Sequence, residues 1–121
     1  MKTILILLLS SLFTLPMQKE FNPVMGNWAG TLKAGDTELQ LIFHISKKDG
    51  ALIATIDSPA QNIKEKANDI SYKDEELNIS IKRFNATYKA KVEKGKMVGT
   101  WTQAGQTIPL QMERLKRIGS S

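Results

Sequence analysis

Apolar residues in this chain recur at every second position, a spacing that suits a half-buried β-strand and does not suit an amphipathic helix. Leu39, Leu41, Phe43 and Ile45 alternate with Gln40, Ile42, His44 and Ser46. The first set therefore faces a core and the second mostly faces outward. Leu52, Ala54 and Ile56 repeat the pattern after Lys48-Asp49-Gly50, and Asp-Gly between two alternating runs is a strong hairpin signal because both residues tolerate positive φ. Leu77, Ile79 and Ile81 form a further strand face, and Tyr88, Ala90 and Val92 the next. The turn Glu93-Lys94-Gly95-Lys96 leads into Met97 to Gln103, and Ala104-Gly105-Gln106 leads into a last strand carrying Ile108, Leu110 and Met112. Seven or eight strands in series, joined by short turns, predict an all-β chain folded as an antiparallel up-and-down β-barrel of about eight strands.

Two tryptophans bracket the series, in Gly26-Asn27-Trp28-Ala29-Gly30 and in Gly99-Thr100-Trp101. Glycine beside a large ring on a β-prone segment marks a place where two backbones come close, as they do where a sheet curls shut. One stretch breaks the rhythm. Asp57-Ser58-Pro59-Ala60-Gln61-Asn62 is expected to leave the strand, because Pro59 lacks a donor and Asp-Ser-Pro favours a turn. Residues 63–69 are expected to form one helical turn or a loose lid before Ile70-Ser71-Tyr72 resumes as a strand.

Ahead of the strands, Met1-Lys2-Thr3 gives a short positive start, and Ile4 to Leu9 with Leu12, Phe13 and Leu15 gives an apolar stretch ending at Pro16. That pattern predicts a secretory signal over 1–18, shorter than the roughly 20 residues of a membrane-spanning helix. A lead-in (19–25), the barrel (26–114) and a tail (115–121) complete the expected organisation. No stable membrane insertion is expected after cleavage, and the location expected is the periplasm or the medium. The chain contains no cysteine, so a disulfide framework is excluded and the β-core alone must hold an exported domain together.

Seventeen Lys and Arg against twelve Asp and Glu give a net charge of +5. These charges are scattered as solvated strand faces, and aromatics make up only 7% of residues. Nucleic acid is therefore not an expected partner, since it calls for a basic stripe interleaved with exposed aromatics. Catalytic patterns are missing too. There is no Gly-x-Ser-x-Gly elbow, no cysteine nucleophile and no pair of histidines for a metal. His44, the single histidine, is expected at the surface, and Asp57 beside Ser58 reads as turn chemistry rather than as an acid and a nucleophile. Neither catalytic residues nor a metal or cofactor is expected, and the chain is not expected to be an enzyme.

Gly26-x-Trp28 is similar to the Gly-x-Trp that opens lipocalin-like (calycin-like) barrels, and that resemblance implies a Trp28 packed across the barrel base under Arg114. A longer ordered set runs through Gly26-x-Trp28-x-Gly30-Thr31-Leu32, Leu39-x-Leu41-x-Phe43-His44-Ile45, Asp57-Ser58-Pro59-x-Gln61, Gly99-Thr100-Trp101-x-Gln103-x-Gly105 and Pro109-Leu110. This set resembles the small lipocalin-like domain that precedes the catalytic domain in exported bacterial α/β-hydrolases of the serine peptidase and esterase type. The resemblance covers Gly26 to Arg114 and none of the hydrolase domain, so hydrolase activity is carried over onto no residue. It implies the accessory barrel alone, either as a stand-alone product or as a piece of a longer secreted hydrolase. Gly26, Trp28, Gly30, Asp57, Pro59, Gly99 and Arg114 are its structural positions.

An eight-stranded barrel has an interior just wide enough for side chains or one small ligand. Phe43, Tyr88 and Trp101, if inward, either fill that interior or line a cavity for a small apolar or amphipathic ligand. The alternative role is accessory recognition of a hydrolase or another envelope protein, through an outer face that includes Ile42 and Ile53.

Overall fold

The computed structural model describes residues 23–116. The expected signal, most of the lead-in and the end of the tail lie outside the described residues. Strand β1 (Gly26–Ala34) is followed by β2 (Thr37–Lys48), β3 (Ala51–Ser58), β4 (Ile63–Lys66), β5 (Asp69–Lys73), β6 (Glu76–Ile81), β7 (Ala86–Glu93), β8 (Lys96–Gln103) and β9 (Gln106–Arg114). They form one antiparallel sheet in the order β4-β3-β2-β1-β9-β8-β7-β6-β5.

The two edges of this sheet are consecutive in sequence. Because β4 and β5 stand an even number of antiparallel steps apart, they run in the same direction, as successive halves of one strand. The first half pairs with β3, from Ser58↔Ile63 to Thr55↔Lys66. The second half pairs with β6, from Asp69↔Ser80 to Lys73↔Glu76. Between them, Ala67 N–H donates to Ala54 O (2.9 Å) and Asn68 N–H to Ser80 O (2.8 Å), which ties the sheet's ends together. Nine strand segments thus make the eight walls of an up-and-down barrel.

Residues 63–69 are neither helical nor a loose lid, which corrects the expectation for this stretch. The free edge of β3 recruits them into the wall although only Ile63 is apolar within β4. Asp57 and Ser58 likewise complete β3 instead of leaving it. Pro59 comes one residue later and opens a 3-10 turn, Pro59–Gln61, where its missing N–H breaks no ladder bond.

Strand alternation fills the barrel. Leu41, Phe43, Ile45, Leu52, Ala54, Ile56, Leu77, Ile79, Ile81, Tyr88, Ala90, Val92, Met97, Trp101, Leu110 and Met112 are all buried inward. The hairpin at Asp49 (φ 53°) and Gly50 (φ 81°) has the paired positive φ values of a type I′ turn. Gly99 has no room for a side chain, since an added Cβ would overlap Lys89 O and Ala90 on β7. Gly30 is nearly as tight, with Gln111 O and the Met112 sulfur of β9 in the way. These two glycines sit where neighbouring walls press together most closely.

Candidate functional site

The barrel has unlike ends. At the base lie the hairpin turns at Asp49-Gly50, Asp74-Glu75 and Lys94-Gly95, together with the start of β1 and the end of β9. Trp28 is fully buried there, and its Nε1–H donates to Val24 O at 2.9 Å. The Arg114 guanidinium lies 4.4 Å from the Trp28 ring centroid. Its Nη2 donates to Pro23 O at 2.7 Å and its Nη1 to Met25 O, so one cation stacks on the ring while pinning the lead-in across it. Gly26, with φ 126°, makes room for that guanidinium: a Cβ there would stand 2.7 Å from Nη1. This end is a plug.

Inside, Phe43 meets Tyr88 edge to face, with centroids 5.3 Å apart, and lies nearly parallel to Trp101 at 6.4 Å. The Tyr88 hydroxyl donates to Leu110 O at 2.8 Å, and burial pushes its ionisation well above the ordinary tyrosine value. Tyr72 is raised as well, by burial and then by the Glu75 carboxylate.

The other end is open, as a mouth. A cavity of about 150 Å³ enters it. Leu32, Leu39 and Leu41 line it from the first hairpin, Ile56 and Ile63 from β3 and β4, and Phe84 and Trp101 from the opposite side. Of the three candidate ligand residues, Trp101 forms part of this wall, whereas Phe43 and Tyr88 belong to the packed aromatic cluster and do not line it.

Two turns built alike frame the mouth. Pro59–Gln61 and Lys82–Phe84 are each a 3-10 turn closed by an asparagine in the left-handed region, Asn62 at φ 56° and Asn85 at φ 51°. Each asparagine N–H returns to the first carbonyl of its turn, at 3.0 Å in both cases. Polar side chains brace both. Ser58 Oγ donates to Gln61 Oε1 at 3.0 Å. Gln103 Oε1 accepts from Trp101 Nε1–H at 3.0 Å while its Nε2 donates to Phe84 O at 3.1 Å, fixing the ring and the second turn together. Arg83 pairs with Glu65 at 3.1 Å, joining the second turn to β4.

Sequence reasoning gave Ser58, Gln61 and Gln103 no such role. The pairings depend on three-dimensional turn geometry, and the only sequence signal was the recurrence of glutamine within the quoted motif set.

A wider groove of about 430 Å³ lies outside the barrel, along Ala29–Thr31 of β1, Gln40 of β2, and Gln111 and Glu113–Lys116 at the end of β9. The outer wall also carries a polar cluster that the sequence did not reveal. His44 Nδ1 lies 2.8 Å from Asn27 Oδ1, and its Nε2 lies 3.9 Å from Asp57 Oδ2. Asp57 faces outward while the adjacent Ser58 is buried inward, so the barrel wall separates the Ser58 hydroxyl from His44. Ile42 and Ile53 occupy the same outer wall, both half-buried. Among the described residues, no three His, Asp or Glu side chains come together as a metal site.

Set against models of known protein families the chain matches none, and a search of curated proteins finds no match.

Proposed function

We propose that this chain is an exported β-barrel module without catalysis, whose mouth holds a small apolar or amphipathic ligand. The observation that carries this reading is the 150 Å³ cavity, walled by aliphatic side chains and Trp101 and opening between two braced turns. Binding sites of this kind are concave and largely apolar, with a few fixed polar groups that orient the ligand. Export rests on the N-terminal apolar segment read from the sequence. The separation of Ser58 from His44 by the barrel wall argues against a hydrolytic pair.

Toluene titrated into the purified protein tests the reading. It should raise the melting temperature of the native chain, because a ligand that binds only the folded state stabilises it by mass action. It should have no effect on a Leu39→Phe variant, whose larger ring fills the mouth from a half-buried position. Equal responses from the two proteins, or no response from the native chain, would count against a ligand cavity.

A further inference from the structure

We infer that the mouth selects a ring-sized ligand bearing an uncharged polar head, such as an aromatic alcohol or amide, over the matching acid or amine. This inference rests on the binding role proposed above and adds to it the chemical class of the ligand.

Size comes first. A cavity of about 150 Å³ lies well below the roughly 300–1,000 Å³ of sites that enclose drug-sized molecules. It matches the volume at which apolar protein cavities accept benzene. Whatever enters is therefore one ring or an equally short aliphatic group, and Trp101 and Phe84 supply aromatic surface on one side.

Polar capacity at the rim then decides what that ring can carry. The polar lining residues are Ser58, Gln61 and Gln103, and no lining residue is ionisable. Gln103 is committed at both ends, to Trp101 and to Phe84. Ser58 is only 4% exposed and spends its proton on Gln61, so its oxygen keeps accepting capacity toward the cavity. Gln61 uses its amide oxygen for that bond, and its amide nitrogen meets no partner among the described residues. One acceptor and one donor thus remain beside an apolar chamber. A hydroxyl or a primary amide, each both donor and acceptor, satisfies the two together.

Charge at the mouth reinforces the choice. The nearby Arg83 and Glu65 neutralise each other at 3.1 Å. A carboxylate or ammonium head seated against the buried Ser58 would lose hydration on that side with no countercharge in the lining, a cost that a neutral head avoids. The chain's net charge of +5 attracts anions at long range, so exclusion of an acid would run against the global field and must arise locally.

Benzyl alcohol, benzamide, benzoate and benzylamine present one ring with four heads, the last two charged at neutral pH. Titration of each into the isotopically labelled full chain can be followed by NMR at the Trp101 indole N–H and the Gln61 side-chain amide. Benzyl alcohol and benzamide should bind at least about tenfold more tightly than benzoate and benzylamine. Gln61→Leu, at an exposed position, should weaken benzyl alcohol about threefold to tenfold more than it weakens toluene. Equal binding of all four probes, or tighter binding of benzoate, would overturn the neutral-head inference while the binding role stands. A Gln61→Leu variant that loses toluene as fully as benzyl alcohol would overturn the assignment of the head to Gln61. Failure of all four probes and of toluene to shift the Trp101 signal would overturn the binding role itself.

Discussion

The hydroxyl of Tyr88 is enclosed by the barrel core and donates to Leu110 O at 2.8 Å, so a single bond joins β7 to β9 across the interior. Removing it in Tyr88→Phe leaves that carbonyl without its interior donor and should cost about 1–2 kcal/mol in a urea unfolding titration. The same hydroxyl makes stability depend on alkaline pH. Unfolded tyrosine ionises near 10.0, and burial raises the folded value above that. Below pH 10 both states are protonated and the contribution is fully present. Above it the unfolded chain gives up its proton first, so stability falls as pH rises. The native protein should therefore lose urea resistance above pH 10 more steeply than Tyr88→Phe, with Tyr72, also raised, supplying the remainder in both. Equal slopes would show that Tyr88 is not the buried group responsible. That Tyr88 is inward was legible from its alternation with Lys89 and Lys91, but its partner was not, because Leu110 lies two strands away and only barrel curvature brings its carbonyl within reach.

At the scale of elements, the parity of apolar residues was enough to place β2, β3, β6, β7, β8 and β9. Strand β4 escaped it for a physical reason: Ile63-Lys64-Glu65-Lys66 offers one apolar side chain, and the free edge of β3 makes it a strand. Cross-strand register hid the outer cluster in the same way, since nothing in the spacing of Asn27, His44 and Asp57 shows that β1, β2 and β3 set them side by side. The glycines, by contrast, were readable as points of close approach, and they can be ranked. Gly99→Ala drives a methyl into the β7 backbone at Lys89 and Ala90, and should cost about 3 kcal/mol or more. Gly105→Ala meets no atom within 4 Å and bears only the strain of φ 81°, which should cost about 1 kcal/mol. Thermal unfolding of the two variants checks the order, and a Gly105→Ala loss equal to that of Gly99→Ala would refute close wall packing as the cause.

Across the whole molecule, closure is unevenly secured, and that unevenness falls beside the mouth. Strands β1, β2, β3, β6, β7, β8 and β9 each have a hydrogen-bonded neighbour on both sides, whereas β4 pairs only with β3 and β5 only with β6. One backbone hydrogen bond from Asn68 N–H to Ser80 O, one from Lys82 N–H to Asn68 Oδ1 at 2.7 Å, and the exposed Arg83–Glu65 pair hold this segment to the far side, while Ala67 N–H bonds back to Ala54 O on β3. Exposed ion pairs add little, typically under about 1 kcal/mol. Regions with few buried contacts and singly paired strands open at lower free energy than the global unfolding that exposes a core strand. Native-state hydrogen exchange should therefore find residues 63–69 exchanging through a sub-global opening, well before Tyr88 in β7 and Trp101 in β8. Ile63 both belongs to this segment and lines the cavity, so a ligand seated in the mouth is stabilised only while the segment is closed. Saturating benzyl alcohol should then slow exchange across β4 more than across the base of the barrel at Met97 and Met112. Uniform slowing throughout would mean that the ligand reports global stability alone, and unchanged exchange at β4 under saturation would show that the mouth opens without this segment.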